Sequence, residues 1–177
     1  MTSNKIKYEH LIMKRLSNLL AALVFASLVI FMSCGGSGDD PAPSVGETTA
    51  NNLLGTWNVS GSPTYGGDVE GDWTGFTLTI SNVAEGSDGV WGGDFSVSSI
   101  PDGYGQVWGG AATATSVSGT WTFASTTNVT NATRSDGVSI TSIQVSETDL
   151  GFGFNVPSSS ARVSGIFDAN WSFQFTK

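Results

Sequence analysis

The sequence predicts an all-β domain, an antiparallel up-and-down meander of about eight strands, preceded by a signal helix and a flexible tether. Apolar and polar residues alternate at period two through most of residues 51–177, as in strands with one buried face. Turn-forming residues separate these runs, and no run has the period of an amphipathic helix. About eight strands either close into a barrel with room for one small ligand or flatten into a β-sandwich, and the pattern leaves both open.

Composition and charge narrow the possible functions. The chain of 177 residues has 15 acidic and 7 basic residues and a formal net charge of -8. A nucleic-acid-binding protein needs a basic surface, so we expect no nucleic acid as a partner. One cysteine and one histidine are too few for a disulfide framework or a Cys/His metal site.

The first 33 residues have the order of a secretory signal peptide. The basic residues Lys14 and Arg15 precede an apolar run at residues 19–32. This run is shorter than the roughly 20 residues that a transmembrane helix needs. Met13 fits the start of such a signal, which makes residues 1–12 either a misassigned start or a long leading region.

Ser33 and Cys34 end the apolar run in a way that resembles a bacterial lipoprotein signal. The resemblance implies cleavage before Cys34, diacylglycerol on the Cys34 thiol, palmitate as a further acyl chain, and a membrane anchor through these chains. A signal peptide with an incidental cysteine and an uncleaved anchor are the alternatives. Asp39 and Asp40 resemble the surface-export signal of some Gram-negative lipoproteins, or else belong to a solvated linker. The expected location is the outer membrane, facing the cell surface.

Removal of residues 1–33 changes the chemistry that the chain offers. The only histidine, His10, is lost, so Ser–His and Cys–His nucleophilic catalysis are excluded in the mature chain. We therefore expect neither an enzyme nor a cofactor. The mature chain keeps three basic residues against 14 acidic ones, a net charge of −11. Residues 34–50, rich in Gly, Ser, Pro and Asp, are predicted to be the lipidated cysteine and its tether.

Eight runs within residues 51–177 have the strand pattern. The clear ones cover residues 76–81, 117–123, 150–156 and 171–176, and the weaker ones cover 54–60, 90–98, 128–134 and 138–145. In the last of these the apolar phase shifts between Ile140 and Ile143, which predicts a β-bulge. Long loops are predicted at 61–72, 99–116 and 157–169, and binding on a β scaffold usually lies in such loops. We expect the mouth of any ligand cavity near the first or second of them.

The start of the folded part, Leu53-Leu54-Gly55-Thr56-Trp57, resembles the first strand of lipocalin-like lipoproteins. The run 119–154, with its GTWTF segment and its Arg-Ser-Asp-Gly hairpin, resembles them too. The resemblance implies a barrel in which Gly55 begins the first strand and Trp57 plugs the closed end. Lipocalins also stack an arginine near the last strand on this tryptophan. Residues 170–176 contain no arginine, so Arg162 in the preceding segment is the candidate.

The aromatic residues fall into two groups. Trp57, Trp121 and Trp171 lie on the apolar faces of predicted strands, and we expect them to pack in the core. A second group lies in loops or beside glycine pairs and acidic residues, where exposed rings stack on sugars or on apolar ligands. These candidate ligand-binding residues are Tyr65, Trp73, Trp91, Tyr104 and Trp108. Packing at the end of the barrel is the alternative for them.

The loop carboxylates Asp68, Glu70 and Asp72 are a weak candidate for a Ca²⁺ site, because three hard oxygen ligands lie close together in sequence. The spacing of an EF-hand loop is absent, and solvated loop charge is the alternative. A glycoside hydrolase would need two converging carboxylates, and the sequence marks no such pair.

These observations predict a membrane-anchored lipoprotein whose barrel binds a small apolar or glycan ligand without catalysis. The alternative is a structural or protein-interaction module whose barrel is filled by its own side chains. The two differ in one respect that a structure can address, namely whether the barrel contains a cavity.

Overall fold

The alternating strands close into a barrel, so that one face of each strand points inward and the other outward. The computed structural model describes residues 42–156 and 170–177. One helix, α1 (Val45–Leu53), precedes the strands β1 (Gly55–Val59), β2 (Thr64–Tyr65), β3 (Asp68–Val69), β4 (Thr77–Glu85), β5 (Trp91–Ser98), β6 (Ser116–Phe123), β7 (Ala132–Arg134), β8 (Ser139–Val145), β9 (Asp149–Asn155) and β10 (Asn170–Thr176). A 3₁₀ turn, Gly105–Trp108, lies between β5 and β6.

Eight of these strands form a closed ring in the order β1-β4-β5-β6-β7-β8-β9-β10, and every pairing is antiparallel. The ring closes where β10 pairs with β1, through Asn58 opposite Thr176 and Val59 opposite Phe175. The prediction of an all-β antiparallel meander is therefore confirmed, and of the two architectures left open it is the barrel that forms. Within the described residues, no helix is long and apolar enough to cross a membrane.

The short hairpin β2–β3 is an addition that the alternation did not predict. It lies in the expected loop at residues 61–72 and pairs with the first half of β10, with Tyr65 opposite Trp171. The strand β10 thus has β9 on one side and, in succession, β2 and β1 on the other. The strands β2 and β3 have only two residues each, too few for an alternation of period two to be visible.

The predicted β-bulge in β8 is confirmed. Its register against β9 shifts between Thr141 and Gln144, and Ser142 has a φ of +56°. The shift lets both Ile140 and Ile143 point inward despite their odd spacing. A second register shift lies in β4 between Ser81 and Ala84, where the φ of Asn82 is +51°.

The helix α1 corrects two sequence predictions, a tether extending to residue 50 and a folded part without any helix. Ser44 caps the helix by accepting a hydrogen bond from the Glu47 amide at 3.0 Å. Its inward face is Gly46, Ala50 and Leu53, at a spacing of one residue per helical turn. The helix contacts β4 and β5 on one side of the ring and β8 on the other, so it lies across one end of the barrel.

This end, here called the α1 end, is fixed by the first and last residues of the barrel. Trp57 is fully buried, and its Nε1 donates a hydrogen bond to the Leu53 carbonyl at 2.8 Å. The Nζ of Lys177 lies 4.2 Å from the centroid of the Trp57 ring and donates to the Asn52 carbonyl at 3.1 Å. The cation on Trp57 is therefore a lysine directly after the last strand. Arg162, the expected cation, lies outside the described residues.

The opposite end, here called the loop end, is filled by aromatic side chains. Trp73, Phe76, Trp108, Trp171 and Phe173 are each at most 2% exposed and form what we call the aromatic plug. Ring centroids within the plug lie 4.9 Å apart for Trp73–Phe76, 5.2 Å for Trp73–Phe173 and 5.3 Å for Trp108–Phe173. Burial of such large side chains contributes much of the stability of a domain of this size.

Candidate functional site

An apolar cavity with about 60 Å³ of free volume, partly open to solvent, lies in the half of the barrel nearer α1. The α1 helix contributes Leu53 to its wall, and the strands contribute inward-pointing residues from β4 to β9. Among these are Ile80, Trp121, Ala132, Ile143 and Leu150. Because the lining is contributed by α1, six strands and the 3₁₀ turn, the cavity is a property of the closed barrel and not of one loop.

The floor of the cavity is formed partly by Trp108 of the aromatic plug and by Arg134 of β7. Arg134 is only 4% exposed, and burial lowers the pKa of its guanidinium, an effect that the neighbouring Asp136 carboxylate opposes. Its Nε and Nη2 donate to Asp136 at 3.2 and 2.5 Å, and its Nη1 donates to the Val107 carbonyl at 3.1 Å.

The positive charge of Arg134 is therefore compensated by Asp136 and the Val107 carbonyl. Besides these hydrogen bonds, its guanidinium lies over three aromatic rings, with centroid distances of 5.6 Å to Phe95 and 5.3 Å to both Trp108 and Phe154. A buried cation that is paired and stacked in this way holds the 3₁₀ turn against the strands. The cavity itself is left with an apolar lining.

The structure brings most of the candidate ligand-binding aromatics together, but as packed side chains. Trp73 and Trp108 belong to the aromatic plug. Tyr65 and Tyr104 are half-buried beside it, with centroid distances of 5.2 Å for Tyr65–Trp171 and 5.4 Å for Tyr104–Trp73. These contacts agree with the alternative of packing at the end of the barrel. Trp108 alone of this group also lines the cavity.

Trp91, the fifth candidate, lies at the other end of the barrel. It is half-buried and faces the first turn of α1, where a Cβ on Gly46 would lie 2.9 Å from the Trp91 Cδ1. The approach of the helix to this ring therefore depends on glycine at position 46. Of the tryptophans predicted as core residues, Trp57, Trp121 and Trp171 are all buried.

The loop carboxylates do not share a partner. Glu70 accepts a hydrogen bond from the Tyr104 hydroxyl at 2.6 Å, which together with partial burial raises the pKa of Tyr104 to about 12. Asp72 accepts from the hydroxyl and amide of Thr74 at 2.6 and 3.0 Å, and these bonds lower the pKa of Asp72. Asp68 is exposed in β3. Across residues 42–156 and 170–177, no group of three or more His, Cys, Asp or Glu side chains is arranged to hold a metal ion.

The cavity is lined by Trp108 of the predicted loop 99–116 and by Leu53 of α1, and by no residue of the loop 61–72. The loops at 61–72 and 99–116 belong to the loop end, which the aromatic plug fills, whereas Leu53 of the cavity wall belongs to α1. Sequence reasoning also missed the inward-pointing Arg134. Its position was visible in the alternation, since Ala132 and Arg134 share the inward phase of β7 while Thr133 points outward.

Several predicted features lie outside the described residues, namely Cys34 with its signal peptide, the acidic pair Asp39 and Asp40, and the loop at 157–169. Comparison of the chain with protein-family models, with curated proteins and with solved structures gave no match.

Proposed function

We propose that this protein is a lipoprotein, anchored in the outer membrane and facing the cell surface, whose barrel binds a small apolar ligand without catalysing a reaction. The observation that supports the binding is the apolar cavity in the half of the barrel nearer α1. A well-packed protein interior leaves few voids larger than a water molecule. A cavity of about 60 Å³ costs stability, which a bound apolar molecule would restore.

Of the two ligand classes predicted from the sequence, the lining favours an apolar one over a glycan. A sugar needs several hydrogen-bond partners in its site, because burying a hydroxyl without a partner is unfavourable. Arg134 is the only charged residue of the lining, and all three of its nitrogens already donate to Asp136 or Val107. Of the aromatic rings predicted to stack on a sugar, four are packed in the plug or beside it and the fifth, Trp91, lies against α1.

The ligand site is tested by filling it. The Ala132→Val substitution adds two methyl groups to the cavity wall. The probe is 1-bromopentane, whose bromine is about as large as a methyl group, enters the cavity in its place and quenches the fluorescence of tryptophans that it contacts. We expect saturable quenching through Trp108 and Trp121 in the wild type and binding about tenfold weaker or more in the variant, equivalent to roughly 1.4 kcal/mol.

The matched control is Ala84→Val, since Ala84 is exposed on β4 and adds the same two methyl groups outside the cavity. It should bind the probe as the wild type does. If both substitutions weakened binding of the probe equally, or if neither weakened it, a ligand site in this cavity would be contradicted.

The anchor is tested at Cys34. The Cys34→Ala variant should appear in the soluble fraction of the cell envelope, because stable anchoring requires the acyl chains that this residue would carry. Ser37→Ala, three residues further along the same tether, is the control and should stay with the membrane. Membrane retention of the Cys34→Ala variant would refute lipidation as the anchor.

A structural or protein-interaction module is the second candidate, and the aromatic plug favours it. One half of the barrel is filled by the protein's own rings, so this half needs no ligand to be stable. If 1-bromopentane shows no saturable quenching in the wild type, this second function is the better account.

A further inference from the structure

The size of the cavity restricts the shape of an apolar ligand. At about 60 Å³ it has less than half the volume of the roughly 150 Å³ apolar cavity that holds benzene. A ring, or a branched group of similar bulk, therefore exceeds its free volume, whereas the methyl end of a linear chain does not. Any longer ligand must leave the rest of its length outside the cavity.

The loop end offers no path for that remainder. Trp73, Trp108 and Trp171 are 1%, 2% and 0% exposed, and each packs against Phe173 at centroid distances between 5.2 and 5.9 Å. Opening this end would expose several aromatic side chains at once, each with about 150–250 Å² of surface.

The α1 end is covered by a much weaker element. The face that α1 buries consists of Gly46, Ala50 and Leu53, and the first two have almost no apolar side chain to remove from water. The helix has nine residues, including two Thr and two Asn, which are poor helix formers. Since isolated helices of fewer than about 12 residues are marginal, α1 is held in place mainly by its packing.

The two ends of α1 are held unequally. At its C-terminal end the Asn52 and Leu53 carbonyls accept hydrogen bonds from Lys177 and Trp57. At its N-terminal end the contact with the barrel is Gly46 against the ring of Trp91. The N-terminal end of α1 is therefore easier to displace than its C-terminal end. It is also the end that follows the expected tether in the chain.

We infer that the cavity takes the methyl end of an unbranched alkyl chain, and that this chain enters through the α1 end when α1 moves aside. This inference rests on the proposed ligand-binding function and adds the shape of the ligand and its route. The long loops, by contrast, belong to the sealed end.

The route is tested at Thr48, an exposed residue of α1. Glycine at this position weakens the helix relative to alanine by an amount equivalent to about fivefold in the opening equilibrium. In full-length protein in phospholipid nanodiscs, we expect stopped-flow quenching by 1-bromopentane to show about fivefold faster association for Thr48→Gly than for Thr48→Ala. The dissociation rate should not change, because the part of the chain that stays outside the cavity keeps α1 displaced in the bound state.

The control pair is Thr120→Gly and Thr120→Ala on the exposed outer face of β6, which should have equal rates. A covalent lock is the second variant. A Cβ on Gly46 would lie 3.6 Å from the Trp91 Cγ, so side chains at these two positions are adjacent. The Gly46→Cys/Trp91→Cys variant, which keeps the acylated Cys34, should exclude the probe when oxidised and admit it after reduction.

The shape of the ligand is tested with 1-bromo-2,2-dimethylpropane, a branched isomer of 1-bromopentane, which should bind at least about tenfold more weakly. Equal binding of the two isomers would refute the linear chain. Binding of 1-bromopentane with no effect of the Thr48 pair and of the lock would refute the route while leaving the proposed function intact. Absence of binding in the wild type would refute the proposed function itself.

Discussion

At the scale of single residues, the pair Arg134–Asp136 shows how a charge is placed inside an apolar barrel. The Arg134 side chain is 3% exposed and the Asp136 side chain 32% exposed, so one partner depends on the pair far more than the other. A buried charge that loses its partner is strongly destabilising, whereas a partly exposed carboxylate that loses its partner is still solvated.

This asymmetry predicts the ranking of two substitutions. Asp136→Ala leaves an uncompensated cation in the core and should lower the free energy of unfolding by about 3 kcal/mol or more. Arg134→Met leaves a carboxylate that water reaches and fills much of the vacated space, so we expect a loss of about 1–2 kcal/mol. Urea unfolding measures both, and a larger loss for Arg134→Met than for Asp136→Ala would contradict this description of the pair.

The residues that sequence reasoning placed correctly are those whose burial follows from the alternation alone. Trp57, Trp121 and Trp171 lie on inward phases, and a large apolar side chain on such a phase is buried whatever its neighbours are. The cation on Trp57 was not predictable in the same way. Lys177 reaches that ring because β1 and β10 meet when the barrel closes, a contact between the two ends of the domain.

At the scale of elements, the strands and the bulge in β8 were predictable because period two is a local signal. The helix α1 was not, because its sequence VGETTANNL has low helix propensity and only a short apolar face. Its conformation depends on the barrel beneath it, which packs against Gly46, Ala50 and Leu53. Residues 45–50, which composition assigned to the tether, therefore belong to α1.

The N-cap of α1 provides a prediction at this scale. Ser44→Ala removes the acceptor for the Glu47 amide and should cost the helix about 1 kcal/mol. Because α1 is held mainly by packing, we expect faster hydrogen exchange at the amides of α1 and little change in the central strands. Thr48→Ala, which raises helix propensity at an exposed site, should have the opposite effect. Uniformly faster exchange throughout the barrel would contradict a separately opening α1.

At the scale of the whole molecule, the barrel could not be distinguished from a sandwich by pattern, because the two have the same alternation along each strand. Closure depends on a pairing between the first and last strands of the ring, which no local signal encodes. The position of the cavity has the same origin. Which end of the barrel is filled depends on where the Trp73 and Trp108 side chains pack. From the sequence, both were predicted to be exposed candidates for ligand binding.

The most direct test of the ligand-binding cavity is X-ray diffraction from crystals of the protein pressurised with xenon, an apolar atom that enters empty apolar cavities. The account predicts a xenon site between α1 and the strands, in contact with Leu53, Trp121 and Ile143, and loss of this site in the Ala132→Val variant. A barrel with no xenon among these residues, or with xenon only at the loop end, would contradict it.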